Sequence, residues 1–128
     1  MGTRPQEDVV EDDEELWRYI REDQVDTAEG RPRPQSGCFR SLGTDGVSVR
    51  RARLAPLEFS QPCSTHPYIA VVAAAEVREQ TAGKSDVFPD PLPDDPSHAL
   101  IRPSPGAKAA RRIARLARWL SDACPREV

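Results

Sequence analysis

The sequence predicts a small α+β domain, with a short mixed or antiparallel sheet covered by helices near its N- and C-terminal ends. Three observations point there. Tyr68-Ile-Ala-Val-Val-Ala73 is a continuous apolar run of strand length, suited to burial on both faces. Ala74 to Gln80 (AAEVREQ) follows it with strong helix formers, so a strand-to-helix change is expected near Ala73. Beyond Ser104-Pro105, apolar residues recur at helical spacing: Ala109, Ile113, Leu116, Leu120 and Ala123 share one side.

The remaining elements follow in chain order. Residues 1–10 read as a flexible acidic lead and 11–124 as the single domain, leaving 125–128 as a tail. The acids at 11–15 suit the positive end of a helix dipole, and Leu16 and Ile20 lie four apart, so a helix is predicted to about Glu22. Asp26 to Gln35 is a turn-rich, proline-rich stretch. Gly37 to Leu42 and Val47 to Arg50 are predicted as a hairpin around Asp45-Gly46, because glycine takes positive φ without steric cost. Arg50 to Phe59 is ambiguous between a short helix and a loop, with Pro56 limiting any helix. Phe88 to Pro96 reads as a rigid proline-rich linker. His98 to Ile101 reads as a strand beside the Tyr68 run. The last helix is expected to be capped at Ser104, with Pro105 in its first turn, and to be stopped by Pro125.

Composition narrows the function classes. A chain of 128 residues can bury one core, but 13 prolines and only 5% aromatic residues make that core thin. The net charge of −3 lacks the basic balance of a typical nucleic-acid binder. Its distribution is uneven. Residues 7–15 are almost all acidic, whereas Lys108, Arg111, Arg112, Arg115 and Arg118 lie in a stretch without acids. Such asymmetry marks ends that attract one another or an end kept for a charged partner. If the ends meet between two chains, the same pairing makes a homodimer. The three cysteines, Cys38, Cys63 and Cys124, are too widely spaced for a disulfide framework. With no apolar leader and no run long enough for a bilayer, a cytoplasmic location and no membrane contact are expected.

Four constellations are candidates for chemistry. The basic arc of the last helix, with Trp119 among its arginines, would meet phosphates, which arginine's planar fork suits. Its bland alternative is a solvated face paired with the acidic N-terminal helix. Cys63-Ser-Thr-His66 has a metal-like spacing, with Cys38 and His98 as further ligands, but the second close pair that structural zinc sites use is missing. No metal and no cofactor is therefore expected. Asp94-Asp95-Pro-Ser-His98 sets carboxylates near a histidine for acid–base work, although acids beside prolines are also ordinary turn chemistry. Arg40-Ser41 with Asp45-Gly-Val-Ser48 would present an arginine and two serines to a phosphate. Glu76 falls at the carboxyl end of the predicted strand, where sites often gather.

One resemblance covers most of the chain. Leu16-Trp-Arg-Tyr-Ile20, Gly37-Cys-Phe-Arg40, Asp45-Gly-Val-Ser-Val49, Ala75-Glu-Val-Arg78 and above all Pro89-Asp-Pro-Leu-Pro-Asp-Asp-Pro-Ser-His-Ala-Leu-Ile101, taken in this order, resemble small bacterial proteins of unassigned function. The resemblance implies a bacterial cytosolic origin and brings no chemistry with it. The leading expectation is a non-enzymatic protein-interaction or regulatory module. A second is an enzyme or binder of a phosphorylated or nucleotide-like ligand using Arg40, Ser41, Glu76 and His98, which requires one pocket to gather them. A third is nucleic-acid binding through Lys108, Arg111, Arg112, Arg115, Arg118 and Trp119.

Overall fold

The computed structural model of the chain describes residues 9–28, 30–41, 46–55, 65–121 and 123–125. Its elements are β1 (Glu15–Ile20), β2 (Val25–Asp26), β3 (Arg33–Pro34), β4 (Val47–Arg51), β5 (Tyr68–Ala73), α1 (Ala74–Gln80), β6 (Asp86–Pro89), β7 (His98–Arg102), α2 (Ala107–Leu116) and β8 (Arg118–Trp119). Short 3-10 turns lie at Glu22–Gln24, Ser36–Phe39 and Ala52–Leu54. A six-stranded sheet runs in the order β6–β7–β4–β1–β5–β8, with every neighbouring pair antiparallel. The class is α+β, but its helices are not the expected terminal pair.

The predicted first helix is instead the central strand β1. Leu16 and Ile20 lie four apart, which places them on one side of a helix but equally on one side of a strand. Trp17, Tyr19 and Ile20 favour a pleated surface. β1 pairs with β5 along its whole length and with β4 at Leu16 and Trp17, so both of its edges gain a partner. The acids before it form a turn: the Glu14 amide donates to the Glu11 carbonyl at 3.1 Å, and the Glu11 amide to the Glu14 carboxylate at 2.9 Å.

Cross-strand partners share a face. Leu16, Ile20, Val47, Val49, Ala70, Val72, Val87, Ala99 and Ile101 therefore point to one side, where they form the core with Ala74 and Val77 of α1 and Ala110, Ile113 and Ala114 of α2. Cys38 and Phe39 close the layer. Burying each large aliphatic side chain here contributes about 1.5–3 kcal/mol, so stability resides chiefly in this layer. Val10, at the end of the predicted lead, is also buried in it. The other face carries Trp17, Tyr19, Arg50, His98, Leu100 and Phe88.

Several expectations are corrected. Among the described residues the predicted hairpin does not form: Ser36–Phe39 is a 3-10 turn, and Val47–Arg51 pairs with β1 and β7. Asp45 lies outside the described residues, as do 56–59. Phe88 and Pro89 belong to the edge strand β6, where a proline without an amide proton is tolerated. The His98 strand pairs with β4 and β6, not with the Tyr68 run. α2 starts after Gly106 rather than Ser104, because the Ser104 hydroxyl accepts the Ser41 amide at 2.8 Å instead of capping the helix. α2 ends at Leu116, and Arg118–Trp119 crosses to pair with β5. The β5-to-α1 change at Ala73 is where the sequence places it.

Candidate functional sites

Ala110, Ile113 and Ala114 seat α2 on the core, which turns Lys108, Arg111, Arg112 and Arg115 outward to solvent. The rest of the predicted basic arc is elsewhere. Arg118 is on β8, 3.5 Å from Glu15 and 3.6 Å from Glu76. Trp119 is a packing residue: its indole N–H donates to the Pro32 carbonyl at 2.9 Å, and its ring meets Tyr68 edge-on at 6.0 Å. Neither belongs to the α2 face.

Among the described residues, three of the acids expected to neutralise this face are held by other arginines. Asp12 lies 2.6 Å from Arg78, Glu14 is held by Arg51 and Arg53, and Glu15 by Arg118. Among the described residues, Lys108, Arg111 and Arg112 form no ion pair. At the far end of α2, Arg33 donates from Nη1 to the Arg115 carbonyl at 2.7 Å. A cation there suits the last turn of the helix and the negative end of its dipole. Arg33, Arg111 and Arg115 line one cleft of about 240 Å³ with Asp26 and Ser36. The α2 face therefore continues into a second positively charged surface.

The four candidate catalytic residues are not gathered. Glu76 is a helix cap: its carboxylate accepts the Ala73 amide at 2.7 Å in the first turn of α1. His98 lies three strands away from β5, on the face opposite the helices, with Nδ1 3.0 Å from both the carboxylate and the carbonyl of Asp90. Arg40 and Ser41 follow the Ser36–Phe39 turn and line a different cleft. The structure does not bring these four together in one pocket. The order of strands decides the outcome, and sequence spacing carries no record of it.

Around His98 the outer face holds a structural network. Arg50, the cross-strand partner of His98, donates to Asp95 at 2.8 Å and stacks 4.5 Å over the Tyr19 ring. Tyr19 in turn meets the His66 ring at 6.3 Å. Burial would raise the Asp95 carboxyl, but hydrogen bonds from Ser97 and the nearby Arg50 hold it below the usual range. These contacts fix the turn ahead of β7, where Arg51 also donates its amide to the Ser97 carbonyl.

Two charged groups that the sequence reading passed over are more telling. Arg51 and Glu14 form a buried bidentate pair with both bonds at 2.8 Å, their side chains 1% and 3% exposed. Burial would raise the Glu14 carboxyl, yet the bonds from Arg51 and the Glu11 amide draw it down to about 2. Arg18 is the second. β1 and β4 stop pairing after Trp17, and Arg18 bridges the opening, with Nε donating to the Cys38 carbonyl and Nη1 to the Ser48 carbonyl, each at 2.9 Å. Burial draws its pKa down from the usual guanidinium value. The only hint in the sequence is the alternation of ELWRYI, which puts Arg18 on the side of Leu16 and Ile20.

The metal-like Cys63–His66 spacing falls partly outside the described residues. Cys63 lies outside the described residues, Cys38 is buried with its thiol 3.7 Å from the Gln24 carbonyl, and His98 is engaged with Asp90. Among the described residues, no three His, Cys, Asp or Glu side chains converge on a metal position. Burial pushes the Cys38 thiol up, away from the reactive thiolate. Among the described residues, no helix is long and apolar enough to cross a membrane. No family model, curated protein or solved structure matches the chain.

Proposed function

We propose that the protein is a non-enzymatic interaction module whose α2 face, extended by Arg33, docks an acidic segment of a partner protein. The observation that carries this reading is where the internal acids go. Four arginines elsewhere take up Asp12, Glu14 and Glu15, while Lys108, Arg111 and Arg112 stay exposed without an ion pair among the described residues. Exposed arginine forks suit carboxylates bidentately. The helix spans ten residues, about 15 Å at 1.5 Å per residue, which matches a short peptide.

Nucleic acid is the weaker fit. A net charge of −3 opposes a long polyanion outside the patch. Trp119, the one aromatic expected beside the arginines, is turned into the Pro32 and Tyr68 contacts and offers no stacking platform on this face.

The test is fluorescence anisotropy with a labelled Glu-rich peptide and a labelled DNA duplex of equal net charge, using the natural chain and the double variant R111E/R112E. The peptide should bind the natural chain, weaken as salt rises, and lose at least about tenfold in affinity with the double variant. Tighter binding of DNA than of peptide would transfer the face to nucleic acid. Equal peptide affinity for both proteins would remove the proposal.

A further inference from the structure

The opening between β1 and β4 holds the guanidinium of Arg18. Arg18 spends Nε and Nη1 on two carbonyls, and no carboxylate of the described residues pairs with it. A half-buried guanidinium without an anionic partner among the described residues gains when an anion meets it. The same side chain lines an open cleft of about 430 Å³ together with Arg40 and Ser48. Arg40 is exposed and forms no ion pair among the described residues. Ser48, exposed on β4, adds a hydroxyl at the rim, and Leu100 supplies the apolar wall.

We infer that this cleft is an oxyanion site that takes the phosphate of a small phosphate monoester, bound between the guanidinium groups of Arg18 and Arg40, with the ester group lying against Leu100. The donors approach from three segments: β1, the stretch after the Ser36–Phe39 turn, and β4. A planar carboxylate meets a single coplanar fork, whereas the tetrahedral oxygens of phosphate meet donors from several directions. The two carbonyls held by Arg18 fix its rotamer, so little side-chain freedom remains to be lost on binding. The cleft falls within the usual size range of small-molecule sites, roughly 300–1,000 Å³. The assignment is independent of the α2 face, which uses other residues.

Amide chemical shifts of the full chain should be followed while inorganic phosphate, phenyl phosphate and acetate are titrated in turn at constant ionic strength. Both phosphates should saturate and move the amides of Arg40, Gly46, Val47 and Ser48, with acetate much weaker. R40A, at an exposed position, should weaken phosphate by about tenfold, the worth of one charged hydrogen-bond partner. R18Q should weaken it further. If R18Q does not fold, R40A decides alone. R111A should bind phosphate as the natural chain does, which separates this site from the α2 face. Acetate binding as tightly as phosphate, exclusion of phenyl phosphate, or R40A within twofold of the natural chain would each overturn the assignment.

Discussion

Replacing Glu14 by Gln removes one charge from a buried pair and leaves Arg51, with a side chain only 1% exposed, facing a neutral amide. The carboxyl sits at about 2 rather than its ordinary 4.5. A depression of that size corresponds to about 3 kcal/mol of folded-state stabilisation of the charged form. Breaking a buried pair from one side costs about 3–5 kcal/mol in other proteins, so the two routes agree. The sign in pH follows from the depressed value: the contribution is complete above 4.5, shrinks as pH falls below it, and is gone once pH passes below about 2. Urea unfolding followed by the fluorescence of Trp17 and Trp119 should give E14Q a deficit of about 3 kcal/mol at pH 7 that narrows steadily toward pH 2. A deficit under about 1 kcal/mol at pH 7, or one that does not change with pH, would refute the claim that this pair is a buried stabilising charge.

Two backbone positions give opposite predictions. α1 ends in a Schellman arrangement, with the Gly83 amide donating to the Arg78 carbonyl at 2.9 Å and the Ala82 amide to the Glu79 carbonyl at 3.1 Å; this places Ala82 at φ +53°. A left-handed alanine costs about 1–2 kcal/mol, against about 0.4–1 kcal/mol of extra unfolded-chain entropy for glycine, so A82G should raise stability by about 0.5–1 kcal/mol and shift the urea midpoint upward. Gly46 is the reverse case, since a Cβ there would lie 2.5 Å from the Ile101 carbonyl oxygen at the start of the β4–β7 pairing. G46A should lower the thermal midpoint by several degrees, consistent with about 1–3 kcal/mol of strain, and an unchanged midpoint would contradict this close approach.

What was legible in the sequence depended on whether its signal was local. β5 and α1 were readable because an unbroken apolar run gives way to AAEVREQ, and both the pattern and the propensity change at Ala73. β1 was misread because the Leu16–Ile20 spacing satisfies two periods at once, and the acids before it looked like a helix start when they serve a turn and the Arg51 pair. α2 was placed correctly as a basic amphipathic helix, yet its last turn was given up to β8, since Arg118 and Trp119 gain ladder bonds with β5. The catalytic grouping failed for a topological reason. With β4 and β1 between β7 and β5, His98 on β7 is held apart from Glu76 in the first turn of α1, and no residue spacing records that order. Arg18 was invisible as a site residue because its importance arises from the gap where β1 and β4 part.

The central claim is that the α2 face is the docking surface, and amide chemical-shift mapping tests it most directly. A Glu-rich peptide titrated into the isotope-labelled chain should move the amides of Lys108 through Arg115 and of Arg33, with Arg40, Gly46 and Ser48 unmoved. Shifts confined to residues outside α2 and Arg33, or none at peptide concentrations that saturate the anisotropy signal, would contradict it.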